Sequence, residues 1–592
     1  MQKNQPLLQI QKKLARTLDH FEKKFTAQSP TPKLTELWRN CKSQITSGIQ
    51  EIIDAAQPPY ALHKYNLPLI LIVTPEIVYL PQHMGSLANV ITTGDGGGLA
   101  DISAALVAEL DKQGVNVHVT LPEYQNLFKE LARIKDREYQ TLRHRLRDQS
   151  RIYPITDDIF KTAQKVYDDT SSGLDHVNLR RADAFMRGVI SRLLPDLKAR
   201  YRNVLVHCND WMTGLIPAAA RNMRIRSLMT FHNVFTMHQQ VSGLKKQSID
   251  ITPFWRHLIM MDRPGSTFNS FRRVVSRNPH VDFMNSGLYA ADYINTVSRT
   301  FLKEMVEGYF KEHNIMSKLM RNIIIQRFEE GCATGIRNAP ASTADPSTDS
   351  LIAQRYSCIS NKKEGIVSLM EGKRINKAVF QKKMGLAESS HTPLFFWPSR
   401  IARPQKGFEL LLEILPALMH QYTGDGVQIA VAANGEEELI NWIRHFQDTF
   451  PGRVSYRPFS RELSQLGIAG SDFILMPSLY EPCGTPQVVG QFYGTPPVVR
   501  KTGGLADTVK HLSYNGIDGN GFVFEEHNGE GFMFGIREAV SFYHRDEPFK
   551  SRVLERIVRE SMVRFNIRET AKKYIEVYQE IFTRSGKKVE VV

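Results

Sequence analysis

From Leu67 onward, short runs of β-branched and aromatic residues alternate with stretches whose apolar positions recur every three or four residues. LPLILIVT (67–74) leads through a Gly-rich loop into the helix-patterned ADISAALVAELDKQG (100–114) and then VNVHVTLP (115–122), which predicts a βαβ unit. NVLVH (203–207), SLMTFH (227–232) and YINTVS (293–298) predict buried strands that each end on a polar residue. Open parallel sheets bind ligands at strand carboxyl ends, which marks His207, His232 and Ser298 as candidate cleft residues. A second series follows: PLFFWPSR (393–400), VQIAVAANG (427–435), RVSYRPF (453–459), DFILMPS (472–478) and TPPVVRKTGG (495–504), separated by helical runs such as GFELLLEILPALMHQY. The pattern predicts an α/β protein with two Rossmann-like, doubly wound domains around a cleft.

Residues 1–64 follow a different rule. Leu7, Ile10, Leu14, Leu18, Phe21 and Phe25 form one helical stripe, and Leu34, Leu37, Cys41, Ile45, Ile49 and Ile52 form another after a Ser-Pro-Thr-Pro break. A helical hairpin is expected, carrying ten Lys and Arg against five Asp and Glu. Either it docks on the body with a solvated basic face, or it binds a partner or a membrane surface. The expected organisation is the hairpin (1–64), a first Rossmann-like domain (65–345), a linker or surface excursion without clear period (346–390), a second Rossmann-like domain (391–560), and a terminal helix (561–592) packing back on the first domain.

The 592 residues are 42% hydrophobic and 23% charged, an ordinary globular composition that excludes a disordered tail or a fibrous repeat. The net charge of +15 favours an anionic ligand or surface, but no nucleic-acid recognition motif accompanies it. Cysteines 41, 208, 332, 358 and 483 form no CxxC pair, so neither a disulfide framework nor a metal pair is expected and a reducing cytoplasm is the simplest compartment. No window approaches the ~18 apolar residues of a membrane helix. A soluble chain without integral membrane contact is expected.

The chemistry concentrates at strand ends. Gly-rich turns precede helices at GDGGGLAD (94–101) and KTGGLADTV (501–509), where close-approaching amides can hold a phosphate or a sugar. In SRIARPQKGFELLLEILP (399–416) a strand ends at Arg400 and Lys406 precedes a helix, a pair of cations able to hold a diphosphate and stabilise a departing phosphate. After DFILMPS, the turn SLYEPCG puts Glu481 either in the cleft or at a helix entrance as a capping acid.

The series GGGLAD, HCNDW, TFHN, NTVS, SRIARPQKG, DFILMPSLYEPCG and KTGGLADTV resembles the bacterial glycogen and starch synthases, retaining glycosyltransferases of the GT-B architecture, over roughly residues 67–585. The resemblance implies transfer of glucose from a nucleotide diphosphate glucose, ADP-glucose favoured over UDP-glucose, to the non-reducing end of an α-1,4-glucan such as glycogen, with no metal and no cofactor. It implies Arg400, Lys406, Glu481 and His232 as catalytic residues. Donor contacts fall on Gly97, Gly98, Asn233, Asn338, Cys483, Gly484, Thr485, Gln487, Thr502, Gly503 and Gly504, and Asp210 joins the acceptor side of the cleft. The alternative is a catalytically weak glucan-binding or regulatory protein that kept the fold.

The chain departs from the family pattern in several places. Asp95 stands where a lysine usually faces the diphosphate, Met212 where a histidine often follows Asp-Trp, and NAPA (338–341) where Asn-Gly-Ile-Asp is common. Pro486 removes one amide from the EPCG turn. The Arg400–Lys406 spacing is one residue longer than the commonest form, which makes Arg403 a rival for the arginine role.

Overall fold

The computed structural model describes residues 67–94, 98–145, 150–167, 175–261, 269–311, 313–340, 344–357, 365–423, 426–584 and 591, with isolated positions at 24, 27, 31, 35 and 38. The hairpin expected over residues 1–64 falls outside the described residues apart from those isolated positions, as do Asp95 and Gly97. Residues Pro68–Val592 form one compact unit.

Two parallel sheets organise this unit. The first contains β1 (Leu69–Val73), β2 (Val117–Pro122), β3 (Ile152–Ile155), β4 (Val204–Asn209), β5 (Arg226–Phe231), β6 (Tyr293–Thr296) and β7 (Ala333–Gly335), in the order β7-β6-β5-β4-β1-β2-β3. The second contains β8 (Leu394–Trp397), β9 (Gln428–Ala432), β10 (Val454–Arg457), β11 (Phe473–Met476), β12 (Pro497–Arg500) and β13 (Phe522–Phe524), in the order β10-β9-β8-β11-β12-β13. Strand order reverses between β1 and β4 in one sheet and between β8 and β11 in the other. A crevice opens at such reversals, beyond the strand carboxyl ends. β1 and β8 are buried along their whole length, as expected of strands covered on both faces. Each sheet has its own apolar core.

The helices that place the cleft are α1 (Gly98–Lys112), α2 (Arg299–Glu307), α3 (Leu369–Met384), α4 (Phe408–Gln421), α5 (Pro486–Phe492), α6 (Gly503–Thr508), α7 (Glu547–Arg564) and α8 (Ile567–Thr583). The single terminal helix expected over 561–592 is instead broken: α7 packs in the second core and ends at Arg564, Asn566 caps α8 through Glu569 N–H at 3.0 Å, and α8 joins the first core through Ala571, Tyr574 and Tyr578. α8 lies against α1 and β5.

The expected linker at 346–390 is also corrected. Ile352, Tyr356, Leu369, Phe380 and Met384 belong to the second core, and α3 runs through this segment. Its period is hidden because its inward face carries Lys373, Asn376, Lys377 and Gln381. Those polar groups are satisfied within the protein. Lys373 Nζ donates to the carbonyls of Ala469 (3.1 Å) and Ser471 (2.9 Å) and to Thr495 Oγ1 (2.6 Å), and Lys377 pairs with Asp472 at 2.7 Å. A buried cation escapes a large desolvation cost only when it is held in this way.

Candidate active site

On the first sheet, β4 ends at Asn209 and β5 at Phe231, so Asp210 and His232 emerge side by side at the strand ends. Asp210 adopts φ 57°, ψ 178°, a strained conformation for a residue with a side chain. Such strain costs on the order of 1–3 kcal/mol and gathers at functional sites. The turn aims its carboxylate at the amide N–H of His232, 2.7 Å away, and burial raises the carboxyl to about 7 while the N–H groups of His232 and Asn233 oppose the shift.

The imidazole of His232 is held at both nitrogens. Asn209 donates from Nδ2 to the Val73 carbonyl at 3.2 Å, which leaves its Oδ1 to accept from His232 Nε2–H at 3.1 Å. His232 Nδ1 therefore carries the lone pair, and Asn338 Nδ2 donates toward it at 3.4 Å. Burial lowers the ring to about 4, so it is neutral near pH 7. The backbone N–H of Asn338 also acts on the thiol of Cys483 in the second domain. Its Oδ1 is buried and has no hydrogen-bond partner among the described residues. Burial pushes the Cys483 thiol up to about 12, which keeps it protonated.

On the second sheet, β8 and β11 flank the reversal, and the loops that follow them carry Arg400, Lys406 and Glu481. Lys406 Nζ lies 2.7 Å from Glu481 Oε2, to which Ser478 Oγ also donates at 3.2 Å. Gly407 allows this approach: it has φ +69°, and a Cβ there would stand 2.2 Å from the Pro477 carbonyl oxygen. Arg400 is exposed and makes no hydrogen bond or ion pair among the described residues, although its charge acts on the half-buried Tyr480. Arg403 is tied up on the surface by Glu409 (3.1 Å), Glu436 (3.3 Å) and Glu438 (2.9 Å). The geometry favours Arg400 over its rival.

The turn of Thr502, Gly503 and Gly504 presses on the EPCG turn. Gly503 has φ +43°, a Cβ on it would meet the Glu481 carbonyl oxygen at 2.0 Å, and Gly504 N–H donates to that oxygen at 2.9 Å.

Comparison with known proteins decides the family. Residues 70–321 match the model of the starch synthase catalytic domain, and residues 392–541 match that of the glycosyl transferases group 1. A glycogen synthase of Anoxybacillus flavithermus is 30% identical over 512 residues, covering 83% of this chain and 96% of that protein. The glycogen synthase of Geobacillus thermodenitrificans is 29% identical over 510 residues, covering 82% and 95%. The chain belongs to the glycogen synthase family. It is a glucosyltransferase of the glycogen/starch synthase type with the GT-B fold. The catalytic domain of starch synthase IV from Arabidopsis thaliana shares that fold, with a TM-score of 0.65 at 20% identity over 87% of this chain and 99% of that one.

Several donor positions expected from the sequence are otherwise engaged in this glycogen synthase family member. Thr502 Oγ1 and Gly503 N–H donate to Glu304 of α2 at 3.1 and 3.0 Å, so these donors are spent on a protein carboxylate instead of standing free for a phosphate. Gln487 is buried and its Nε2 is bound inside the turn, to the Cys483 and Gly484 carbonyls at 3.0 Å and to Thr508 Oγ1 at 3.1 Å. Thr485 and Gly484 remain part-exposed beside it, and Pro486 opens α5, where a missing N–H is tolerated. Gly98 opens α1 with free space around its Cα. Asn233 turns its Oδ1 back to Val234 N–H at 2.7 Å.

Two of the strand-end residues serve structure. His207 is fully buried between Tyr578 OH (2.8 Å) and Thr230 Oγ1 (2.7 Å), and burial lowers its ring to about 3. Ser298 caps α2 through Phe301 N–H at 2.9 Å and donates to Asp507 at 2.7 Å.

Sequence reasoning missed Glu76, Asn209, Glu304 and Asp507. Glu76 follows β1, and its carboxyl is raised to about 8 by burial and then by the charges of Asp210 and Asp101. Its position just past the carboxyl end of a strand was the available signal.

Proposed function

We propose that this enzyme moves glucose from a nucleotide diphosphate glucose, with ADP-glucose preferred, to the non-reducing end of an α-1,4-glucan with retention of configuration. The observation that carries the proposal is the Lys406–Glu481 pair at the β8/β11 reversal, with Arg400 in the loop after β8 and Asn338 Oδ1 both without a partner among the described residues. Arg400 and Lys406 take up the charge that develops on the leaving diphosphate. Glu481 and Asn338 orient the glucose, and His232, neutral and fixed in one tautomer, lies beside the reacting carbon. The bond between C1 and the diphosphate oxygen breaks, C1 passes through an oxocarbenium-like state, and the acceptor hydroxyl closes on the same face. Its proton goes to the departing diphosphate, so no protein base is required. Support also comes from the Arabidopsis starch synthase IV catalytic domain, which was solved bound to ADP and acarbose.

The test is incubation of the full chain with radiolabelled ADP-glucose or UDP-glucose and glycogen, scoring label in polymer. Incorporation that is faster from ADP-glucose supports the proposal. Glycogen binding without incorporation from either donor leaves the glucan-binding alternative. Asp95→Lys should not raise transfer in a competent enzyme; a large gain would identify the natural protein as a weak one.

A further inference from the structure

Arg337 and Asn338 leave one segment in different directions. Asn338 turns to His232, whereas the Arg337 guanidinium lies 4.5 Å from the centroid of Phe565 and donates to the Arg564 carbonyl at 3.1 Å. Phe565 lies in the junction between α7 and α8. The Nε of Arg337 is buried and has no hydrogen-bond partner among the described residues.

Three more cations gather there: Arg299 at the start of α2, Arg564 at the end of α7 and Lys573 on α8. None of the four forms an ion pair with a carboxylate among the described residues. Of the acids that act on these cations, Asp507 is already consumed by Ser298 Oγ (2.7 Å), Arg299 N–H (2.9 Å) and Thr300 Oγ1 (2.6 Å), Glu569 pairs with Lys572 at 2.7 Å, and Glu576 acts on Lys573 without forming an ion pair with it. Burial lowers the Arg337 guanidinium, and repulsion from Arg564 and Arg299 adds to it; Lys573 is lowered by burial and then by Arg337 and Arg299.

Elsewhere the exposed cations Lys501, Lys510 and Arg444 each meet a carboxylate. A surface that gathers four unpaired cations at the meeting of α2, α7 and α8, two half-buried and two exposed, is shaped for a compact anion. Arg564 also borders a cavity of about 980 Å³ whose other charged groups are of both signs, Lys501, Lys510 and Arg537 with Asp507, Glu525, Glu526 and Glu530.

We propose that Arg299, Arg337, Arg564 and Lys573 form a binding site for a small phosphate-bearing anion, separate from the Arg400–Lys406 pair. Three guanidinium groups and one ammonium match the several oxygens of a phosphate group, and the junction lacks the extended basic stripe that a nucleic acid would need. This site is independent of the transfer reaction proposed above. It gives an anion a hold on the residue adjoining Asn338.

The experiment is calorimetric titration of the full chain with inorganic phosphate, pyrophosphate and ribose 5-phosphate. It compares the wild type with Lys406→Ala, which disables the cleft, and with Arg337→Leu, Arg299→Gln and Arg564→Gln. Binding that persists in Lys406→Ala and weakens at least tenfold in the cluster variants supports the site. Arg299 and Arg564 are exposed, so their variants stay informative even if Arg337→Leu folds poorly. Equal affinity for inorganic phosphate and ribose 5-phosphate identifies free phosphate as the ligand, and tighter binding of the sugar phosphate identifies an ester. No binding by the wild type, or binding lost in Lys406→Ala and unchanged in Arg299→Gln and Arg564→Gln, overturns the proposal.

Discussion

Lys406 Nζ and Glu481 Oε2 lie 2.7 Å apart, with the lysine side chain 13% and the glutamate side chain 5% exposed. Each is the other's counter-charge until a ligand arrives. Lys406→Ala strands a buried carboxylate, which costs about 3–5 kcal/mol. The same change lowers turnover ~100-fold by removing a cation that faces the leaving group. Adding Glu481→Gln to Lys406→Ala should recover most of the stability and none of the turnover. Urea unfolding and single-turnover kinetics on the two variants check this; equal stability of single and double variants would show that the pair is not what holds Glu481.

Arg400 and Arg403 separate two registers of the same motif. Arg400→Ala should reduce turnover by about two decades, since one preorganised charge at a leaving group is worth roughly 3 kcal/mol. Arg403→Ala should stay within a few-fold of wild type, because Glu409, Glu436 and Glu438 hold that guanidinium on the surface. Initial rates at saturating donor decide between them, and the reverse ranking would transfer the role to Arg403.

Glu76 makes stability fall as pH rises. Its carboxyl is raised from 4.5 to about 8, so between those values the folded chain holds a proton that the unfolded chain has lost, and folding weakens with increasing pH. His232, lowered to about 4, acts in the opposite sense: its contribution is present above about pH 6.5 and is lost as pH falls toward 4. Asp210, raised to about 7, adds a decline of the same sign below that pH, so Glu76→Gln should reduce the decline between pH 5 and pH 8 without abolishing it and leave the acid limb in place. Unfolding midpoints at several pH values measure both limbs, and an unchanged decline would assign it to another group.

Glu304 and Asp507 clasp the two domains reciprocally. Glu304 of α2 binds the start of α6, and Asp507 of α6 binds the start of α2. Removing either cap should cost about 1–2 kcal/mol. Hydrogen exchange should quicken at the Arg299 amide in Asp507→Ala and at the Gly503 amide in Glu304→Ala. Exchange that stays slow in both would mean the contacts contribute nothing to holding the domains.

The cleft was legible where chemistry coincides with a strand end. Arg400, Glu481 and His232 each follow a buried apolar run that is readable by itself, and the parallel topology then brings each to the carboxyl ends of its own sheet's strands. Glu304 was not legible, because its carboxylate acquires meaning only from Gly503, 199 positions later. α3 was missed for another reason: a face built from Lys373, Asn376 and Lys377 has the composition of a solvated surface, and only the surrounding carbonyls make it an interior. Gln487 is a motif residue whose Nε2 is bound by its own turn and by Thr508 while its Oε1 is buried without a partner among the described residues, an arrangement that its place in the sequence does not announce.

His207 on β4 and Tyr578 on α8 are hydrogen-bonded across 371 positions of sequence, and that distance has a consequence for how the chain is made. The first sheet leaves the ribosome early, yet one flank stays open until α8 is synthesised. Through that interval, a nascent chain several hundred residues long displays the polar and aromatic groups that Tyr574 and Tyr578 will cover. A message cut short before Ala571 would therefore damage the half of the protein translated first, and supplying the missing helix as a separate peptide should repair it.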